Sequence, residues 1–406
     1  MTAAREGARV IMADDRTGAL EAAAQCADAG LATTVVAVGS AEIIESVTGD
    51  DAEVVVVDLA SRHLAPADAA ARVRRVADAV GDRLVMHKID STLRGNWATE
   101  AGALAASGRR LLLVPAFPAA GRTCIGGIVL EHGVPVDRTA HGRDPRSAAT
   151  TSRPASVIAA AVELADADAV RRWRAPGGIV GVADASTDDD VRAVVSAAVD
   201  GAGALGSEIV LVGPAAVAGQ WARRQAAVGG VEVSHVDRHQ SVIVAPVVVV
   251  CGSAHTISRA QVARLTSRGV ASVVPGAEAS LPADAAVVVI VAPGIETGSA
   301  DHADMAATLG RAGRAAVARA GAATVVVLGG DTAEALVGER PVRVHGSLGV
   351  GIACGTVDLD GRSVVIVAKP GGFGDPGTLE ALMDFLLTPA PRLDATAAEA
   401  TSGRGT

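Results

Sequence analysis

The strongest constraint on how this chain folds is a repeated alternation. Short β-branched runs at Arg9 to Ala13, Thr33 to Val38, Glu53 to Leu59, Arg83 to His87 and Leu111 to Val114 alternate with Ala-rich amphipathic stretches at Leu20 to Ala29, Pro66 to Val80 and Asn96 to Ala106. A β-α-β-α order of this kind predicts a mostly parallel sheet covered by helices on both faces. Ligands of such sheets sit in the loops beyond the strand C-termini. Asp58 to His63 reads as a strand-end turn, and Pro66 suits the first turn of the following helix. Gly121 to Pro154 breaks the rhythm and is expected to form loops or a hairpin over the sheet. Ser156 to Val170 reads as helix, and Gly178 to Ala183 and Glu208 to Val212 as strands.

A polar stretch, Asp237 to Ser241, precedes a fresh strand and suggests a boundary near residue 240. Beyond it the same logic recurs, with strands at Val247 to Val250, Ala286 to Val291, Thr324 to Leu328 and Ser363 to Val367, and helices at Ser258 to Arg268 and Asp301 to Ala320. The expected fold is therefore α/β with two domains, 1–240 and 241–388, each a mostly parallel sheet flanked by helices, with an active-site cleft between them. The Ala-, Pro-, Thr- and Gly-rich residues 389–406 are expected to form a disordered tail.

Composition removes several classes of function. The 406 residues contain no Tyr, three Phe and three Trp, and the net charge is −9 with no long basic run. Aromatic stacking platforms and a nucleic-acid partner are thus not expected. Cys26, Cys124, Cys251 and Cys354 are far apart with no CxxC, which fits reduced buried thiols rather than a disulfide framework or zinc site. The first residues lack a secretory pattern, and Val242 to Cys251 is too short to span a bilayer. The expectation is a soluble, cytoplasmic protein without a membrane partner.

Against this acidic background, one run is dense in chemistry: His87-Lys88-Ile89-Asp90-Ser91-Thr92-Leu93-Arg94-Gly95-Asn96. Polar groups of both signs, with hydroxyls and a glycine, delivered where a strand ends, suit a small, oxygen-rich anion. A solvated loop with a local ion pair needs neither the glycine nor the hydroxyl pair. The first strand ends in Ala13-Asp14-Asp15-Arg16-Thr17-Gly18-Ala19, which places carboxylates at a helix N-terminus. Asp14 or Asp15 could act as general base toward a substrate hydroxyl. Pro115 to Arg122 follows another strand end, and Arg122 could hold a carboxylate with its planar fork.

The second half carries a different signal. Gly252-Ser253, Gly329-Gly330-Asp331-Thr332 and Lys369-Pro370-Gly371-Gly372-Phe373-Gly374 each follow a strand. Glycines at strand-to-helix turns expose backbone N–H groups to phosphate, and three such turns point to a nucleotide. Asp331 could cap the helix or reach magnesium, and Lys369 could neutralise phosphate charge. No Walker A loop is present, and no strand-linked G-x-G-x-x-G. The histidines, His255 among them, show no metal spacing.

Taken together, these segments resemble the four-carbon acid sugar kinases, the tetronate kinases. The match lies in Ala13 to Ala19, Lys88 to Asn96 with its Asp90-Ser91-Thr92-Leu93-Arg94-Gly95 string, Pro115 to Arg122, Gly252-Ser253, Gly329 to Ala333 and Lys369 to Asp375, in the family's order and over nearly the whole chain. The resemblance implies an enzyme that uses ATP with Mg²⁺ to phosphorylate the terminal hydroxyl of threonate, erythronate or a 3-oxo relative; the sequence leaves the assembly open, a homodimer among the options. It implies an acid-sugar domain followed by a nucleotide domain. Asp14, Asp15, Asp90 and Arg94 would be catalytic. Arg16, Thr17, Lys88, Ser91, Thr92, Gly95, Asn96 and Arg122 would bind substrate. Gly252, Ser253, Gly329, Gly330, Asp331, Thr332, Lys369, Gly371, Gly372 and Gly374 would bind ATP, with Asp331 nearest the metal. The alternatives are a kinase of the same fold acting on a larger sugar-acid-like metabolite, and a non-catalytic sensor of acid sugar and nucleotide. Arg16 stands where the family commonly has an apolar residue, Gly213 to Ala218 is a loose version of its Gly-Ser-Ala-Gly-Leu-Ala stretch, and Pro370 and Gly372 vary its last loop.

Overall fold

The computed structural model describes residues 7–38, 52–144, 146–174, 179–200, 209–230, 245–282, 285–293 and 301–387. The chain begins with β1 (Arg9–Ala13), α1 (Arg16–Asp28), β2 (Thr33–Ala37), β3 (Val54–Asp58), α2 (Pro66–Val80), β4 (Leu84–Lys88), α3 (Trp97–Ala106) and β5 (Arg110–Leu113). A three-stranded antiparallel sheet, β6 (Arg122–Ile125), β7 (Ile128–Glu131) and β8 (Val134–Pro135), then follows, with Cys124 bridged to Ala185. It is followed by β9 (Ala161–Leu164), α4 (Ala167–Trp173), β10 (Val180–Ala183), α5 (Asp188–Val199), β11 (Ile209–Gly213) and α6 (Ala215–Gly229). The remainder is β12 (Val247–Cys251), α7 (Thr256–Ser267), β13 (Ala271–Val273), β14 (Val287–Val291), α8 (Asp301–Ala320), β15 (Thr324–Leu328), α9 (Gly330–Val337), β16 (Val342–Gly349), β17 (Ile352–Leu359), β18 (Arg362–Lys369) and α10 (Thr378–Leu387).

Valine-rich strands form because both faces are covered. Every residue of β3, β12 and β15 is buried. The covering helices carry apolar stripes, as in α2, where Ala69, Ala70, Val73, Val76, Ala77 and Val80 are buried at helical spacing behind Pro66 in the first turn.

The expected pair of separate sheets is replaced by one. All 15 main-sheet strands run in the order β13-β14-β12-β15-β18-β17-β16-β2-β3-β1-β4-β11-β5-β10-β9. The two halves meet where β16 pairs antiparallel with β2, Val342 opposite Val35 and Val344 opposite Thr33. Both halves are otherwise parallel, apart from the β16–β17–β18 meander that carries the chain to this seam. One apolar core crosses the seam and includes Leu20 and Val35 on one side and Val344, Val357 and Leu336 on the other. The expected boundary near residue 240 and the tail at 389–406 lie outside the described residues.

The helix α1 is the keystone of this joint, packed between α6 and β16. It is buried on all sides and reads as Ala-rich for that reason, yet it also encloses Arg16 and Glu21. Its far end is tied to the seam, where the Asp28 carboxylate accepts the Ser347 backbone N–H at 3.0 Å and the Ser347 hydroxyl at 2.5 Å.

Two expectations need correction. Ser156 to Val170 is not one helix. Ala160 takes a positive φ of 56°, Ala161–Leu164 adds to β10 as an edge strand, and the helix starts only after Asp166, whose side chain caps Ala169 N–H. Strand pairing overrides the helical propensity of the alanines here. The strands β13, β16 and β17 were not anticipated. The four cysteines are buried and free, and burial pushes the Cys26 thiol up to about 12. Among the described residues no helix is long and apolar enough to cross a membrane.

Candidate active site

The strand ends of the first half converge on one guanidinium. Asp14 follows β1 and is fully buried, and Asp15 is the N-cap of α1, its Oδ1 accepting Gly18 N–H at 3.0 Å. Arg62, in the turn after β3, donates from Nε to Asp14 Oδ2 at 2.7 Å and from Nη2 to Asp14 Oδ1 at 2.9 Å and Asp15 Oδ1 at 2.7 Å. The same Nη2 lies 3.8 Å from Asp90 Oδ1. Burial works against this charge, but the three carboxylates outweigh it and hold Arg62 firmly protonated.

Arg62 went unnoticed in the sequence because one arginine in a turn between a strand and a helix carries no pattern. Its partners did. Gly95 takes φ of 80°, and a Cβ there would stand 2.8 Å from Arg62 Cγ, so the glycine of the Lys88 to Asn96 run makes room for this side chain. Asn96 holds the turn itself, donating from Nδ2 to the Ser61 carbonyl at 2.8 Å and the Leu64 carbonyl at 2.9 Å. Behind it lies a buried support in which Ser61 Oγ donates to Glu100 at 2.5 Å and His87 Nε2 lies 2.9 Å from the other Glu100 oxygen.

Asp90 is gripped by its own loop. Arg94 donates to it from Nε at 3.0 Å and Nη2 at 2.9 Å, Thr92 donates from its hydroxyl and from N–H at 3.2 Å, and Arg94 Nη1 reaches Asp144 at 3.2 Å. Burial pushes Asp90 up, but Arg94 and Arg62 prevail and hold it well below the usual carboxylate range. An aspartate so committed is a fixed anion rather than a proton acceptor. Lys88 and Ser91 are buried beside it. Arg122 donates from Nη2 to Glu131 at 2.8 Å, which itself lies 3.2 Å from His141.

Arg16 is placed away from this cluster. Only 2% exposed, it donates from Nε to Asp58 at 2.7 Å and from Nη2 to the Gly338 carbonyl at 3.0 Å. Gly338 closes α9 in the second half, so Arg16 joins the halves instead of reaching toward a ligand.

The glycine turns of the second half are brought together by the parallel order β12-β15-β18. Gly252 N–H donates to the Leu328 carbonyl at 3.3 Å, and Gly329 N–H to the Lys369 carbonyl at 3.1 Å. A Cβ on Gly252 would lie 2.0 Å from Thr332 Oγ1, and one on Gly371 would lie 2.1 Å from Ser253 Oγ. Gly372 lies against His255, the N-cap of α7, whose Nδ1 accepts Ile257 N–H at 3.2 Å. Burial, reinforced by His141, Lys369 and Arg94, lowers the His255 pKa and favours the neutral ring. Gly329 opens α9 with φ of 113°, and the first intrahelical donor is Ala333, so the N–H groups of residues 330 to 332 have no intrahelical acceptor. Lys369 is buried, donates to the Pro370 carbonyl at 2.9 Å, and is lowered to about 8 by burial. Gly374 serves the turn into α10, packed against Thr378. Among the described residues no three metal-ligating side chains cluster. Asp331 is a single carboxylate paired with Arg146 at 2.5 Å, which does not make a metal cage.

The two sets face one another. A Cβ on Gly330 would stand 2.8 Å from Thr17 Oγ1 and 3.3 Å from Asp15 Oδ2. Thus one oxygen of Asp15 is held by Arg62 and Gly18, and the other looks onto the glycine turn of the opposite half. Arg146–Asp331 and Arg122, 5.2 Å from the Phe373 ring, span the same gap.

A family-wide sequence profile described as the sugar-binding N-terminal domain matches residues 9–221. The D-threonate kinase of Bordetella bronchiseptica is 35% identical over 270 residues, 64% of this chain and 62% of that protein. The D-erythronate kinase of Heliobacterium modesticaldum is 34% identical over 157 residues, 37% of this chain and 35% of that protein. The chain therefore aligns with less than two thirds of the length of these relatives. A Salmonella typhimurium structure described as a putative tRNA synthase shares the fold, with a TM-score of 0.71 at 17% identity, covering 92% of this chain and 98% of that one. With the profile match spanning the strand ends that carry Asp14, Asp15, Lys88, Asp90, Arg94 and Arg122, the chain belongs to the four-carbon acid sugar kinase family.

Proposed function

We propose that the protein is an ATP-dependent kinase that phosphorylates the terminal hydroxyl of a four-carbon sugar acid, threonate, erythronate or a 3-oxo relative. The observation that carries this reading is the approach of Asp15 Oδ2 and Thr17 to Gly330, an acidic group from one half against a phosphate-type turn from the other. The names of the relatives, D-threonate and D-erythronate kinase, support the substrate class. In this reading residues before the seam hold the acid and residues after it hold ATP.

Lys88 and Arg122 supply positive charge for the substrate carboxylate. Asp15 takes the proton of the attacking hydroxyl or orients it, because its second oxygen is not engaged by Arg62 or Gly18. Asp14 and Asp90 fix Arg62, and Arg62 fixes Asp15. The turns at Gly252-Ser253, Gly329-Gly330 and Gly371-Gly372 receive the phosphates on backbone N–H groups. Phosphoryl transfer depends on alignment and charge neutralisation, which such an arrangement provides. Magnesium would arrive on the nucleotide, with Asp331 as one carboxylate in reach of it.

The test is incubation with ATP and a panel of threonate, erythronate and their 3-oxo forms, reading ADP release and the position of the new phosphate by phosphorus NMR. A phosphomonoester at the terminal carbon of one of these acids is the expected product. ATP turnover only with larger acids would replace the substrate, and binding without ADP would replace the enzyme reading with a sensor.

A further inference from the structure

Packing does not account for Glu21. It sits within α1 at 7% exposure, and its Oε1 is enclosed without a hydrogen-bond partner among the described residues. A buried acceptor left unpaired is destabilising, so an apolar side chain would serve the fold better. Burial raises the Glu21 pKa to about 7, with Lys88 and Arg122 opposing the shift and Asp15 and Asp90 adding to it. Gly18 precedes it by three residues on the same helix face. A Cβ on Gly18 would lie 2.5 Å from Lys88 Nζ and 2.5 Å from Asp15 Oδ1, so the lysine ammonium lies against this face beside Asp15.

Two neighbours share the same incompleteness. Lys88 is 3% exposed and has no ion-pair partner among the described residues. Arg122 uses Nη2 on Glu131, but its Nε is buried and unpartnered. An acceptor and two cationic donors, all buried in the first half, are each short of a partner.

We infer that Glu21, Lys88 and Arg122 form the recognition end of the substrate site, in which Lys88 and Arg122 take the carboxylate and Glu21 takes the hydroxyl on the adjacent carbon. The inference rests on the kinase reading above and adds Glu21 as a specificity-determining residue. A 2-hydroxy acid presents an anion and a neighbouring O–H, which two donors and one acceptor complement. The rest of the substrate then runs along α1 toward Asp15, which brings its far hydroxyl to Gly330.

The experiment compares the unsubstituted protein with Glu21→Leu and Glu21→Gln on a tetronate, on 3,4-dihydroxybutanoate and on 2,4-dihydroxybutanoate, both of which keep the terminal hydroxyl. The unsubstituted protein should favour the tetronate over 3,4-dihydroxybutanoate by at least about 100-fold in kcat/KM, since a site built around a hydroxyl rejects its absence strongly. Glu21→Leu should shrink that ratio below about tenfold through the KM of the tetronate, while the ratio against 2,4-dihydroxybutanoate stays put. Glu21→Gln keeps an acceptor oxygen and should keep most of the preference. Glu21→Leu should also melt no lower than the unsubstituted protein. An unchanged ratio in Glu21→Leu, equal loss against both analogues, or no preference for the 2-hydroxyl in the unsubstituted protein would overturn the inference. If Glu21→Leu does not fold, Glu21→Ala carries the same comparison. Failure of the kinase reading shows separately as binding without ADP. Calorimetric affinities for the three acids then decide the role of Glu21 by the same ratios, and no binding of any of them overturns both.

Discussion

At the ends of β1, β3 and β4 the chain places Asp14, Asp15, Arg62, Lys88, Asp90 and Arg94. At the ends of β12, β15 and β18 it places Gly252, Ser253, Gly329, Gly330, Pro370 and Gly371. Each set lies beyond the C-termini of its own half's parallel strands, and the two groups of strands run in opposite directions because β2 pairs antiparallel with β16. The first set works with side chains whose charges fix one another, and side chains read the shape of a particular molecule. In the proposed reading the second clears side chains away so that backbone N–H groups can meet phosphate, which looks alike on every nucleotide. That reading assigns specificity and generality to opposite sides of a seam.

Substitutions should break this contrast in a definite order. Arg62→Ala should have the largest effect, because it leaves Asp14, Asp15 and Asp90 facing one another. Removing one partner of a buried ion pair costs about 3–5 kcal/mol, and thermal unfolding should register that loss together with the loss of turnover. Asp15→Asn should keep the fold and lower kcat by about 10²–10⁴-fold, the range for a positioned base, while nucleotide affinity measured by titration stays unchanged. Gly371→Ala should invert that pattern. Its methyl group meets Ser253 Oγ, so KM for ATP should rise about tenfold, about 1.4 kcal/mol, with KM for the acid unaltered. Arg146→Ala removes a half-exposed pair across the gap and should change stability by no more than about 1 kcal/mol. If Asp15→Asn and Gly371→Ala disturbed the same ligand, the division of labour between the halves would be wrong.

The parallel elements of each half were legible because valine runs and alanine stripes have different periods. The site was legible where residues of one role are contiguous, as in Asp14-Asp15 or the Lys88 to Asn96 run. It was not legible where the fold gathers single residues from separate turns. Arg62 is the clearest case, with Glu21 next, a carboxyl inside a helix that otherwise reads as packing. Arg16 misled for the reverse reason. Beside a carboxylate pair it reads as substrate-facing, but the i, i+1 and i, i+2 directions on a helix diverge and carry it toward Asp58. The seam itself was invisible, since nothing local in β16 shows that it meets a strand more than 300 positions away.

That seam has a consequence for the length of substrate. Three residue pairs of β2 and β16, the Arg16 contact to Gly338 and the Asp28 contact to Ser347 hold α1 to the second half at both ends. On the proposed placement of the substrate, the span from Glu21 along α1 to Gly330 would be a built-in gauge rather than an adjustable gap. An acid one carbon shorter or longer would seat its carboxylate equally well and present its last hydroxyl out of line with the phosphate.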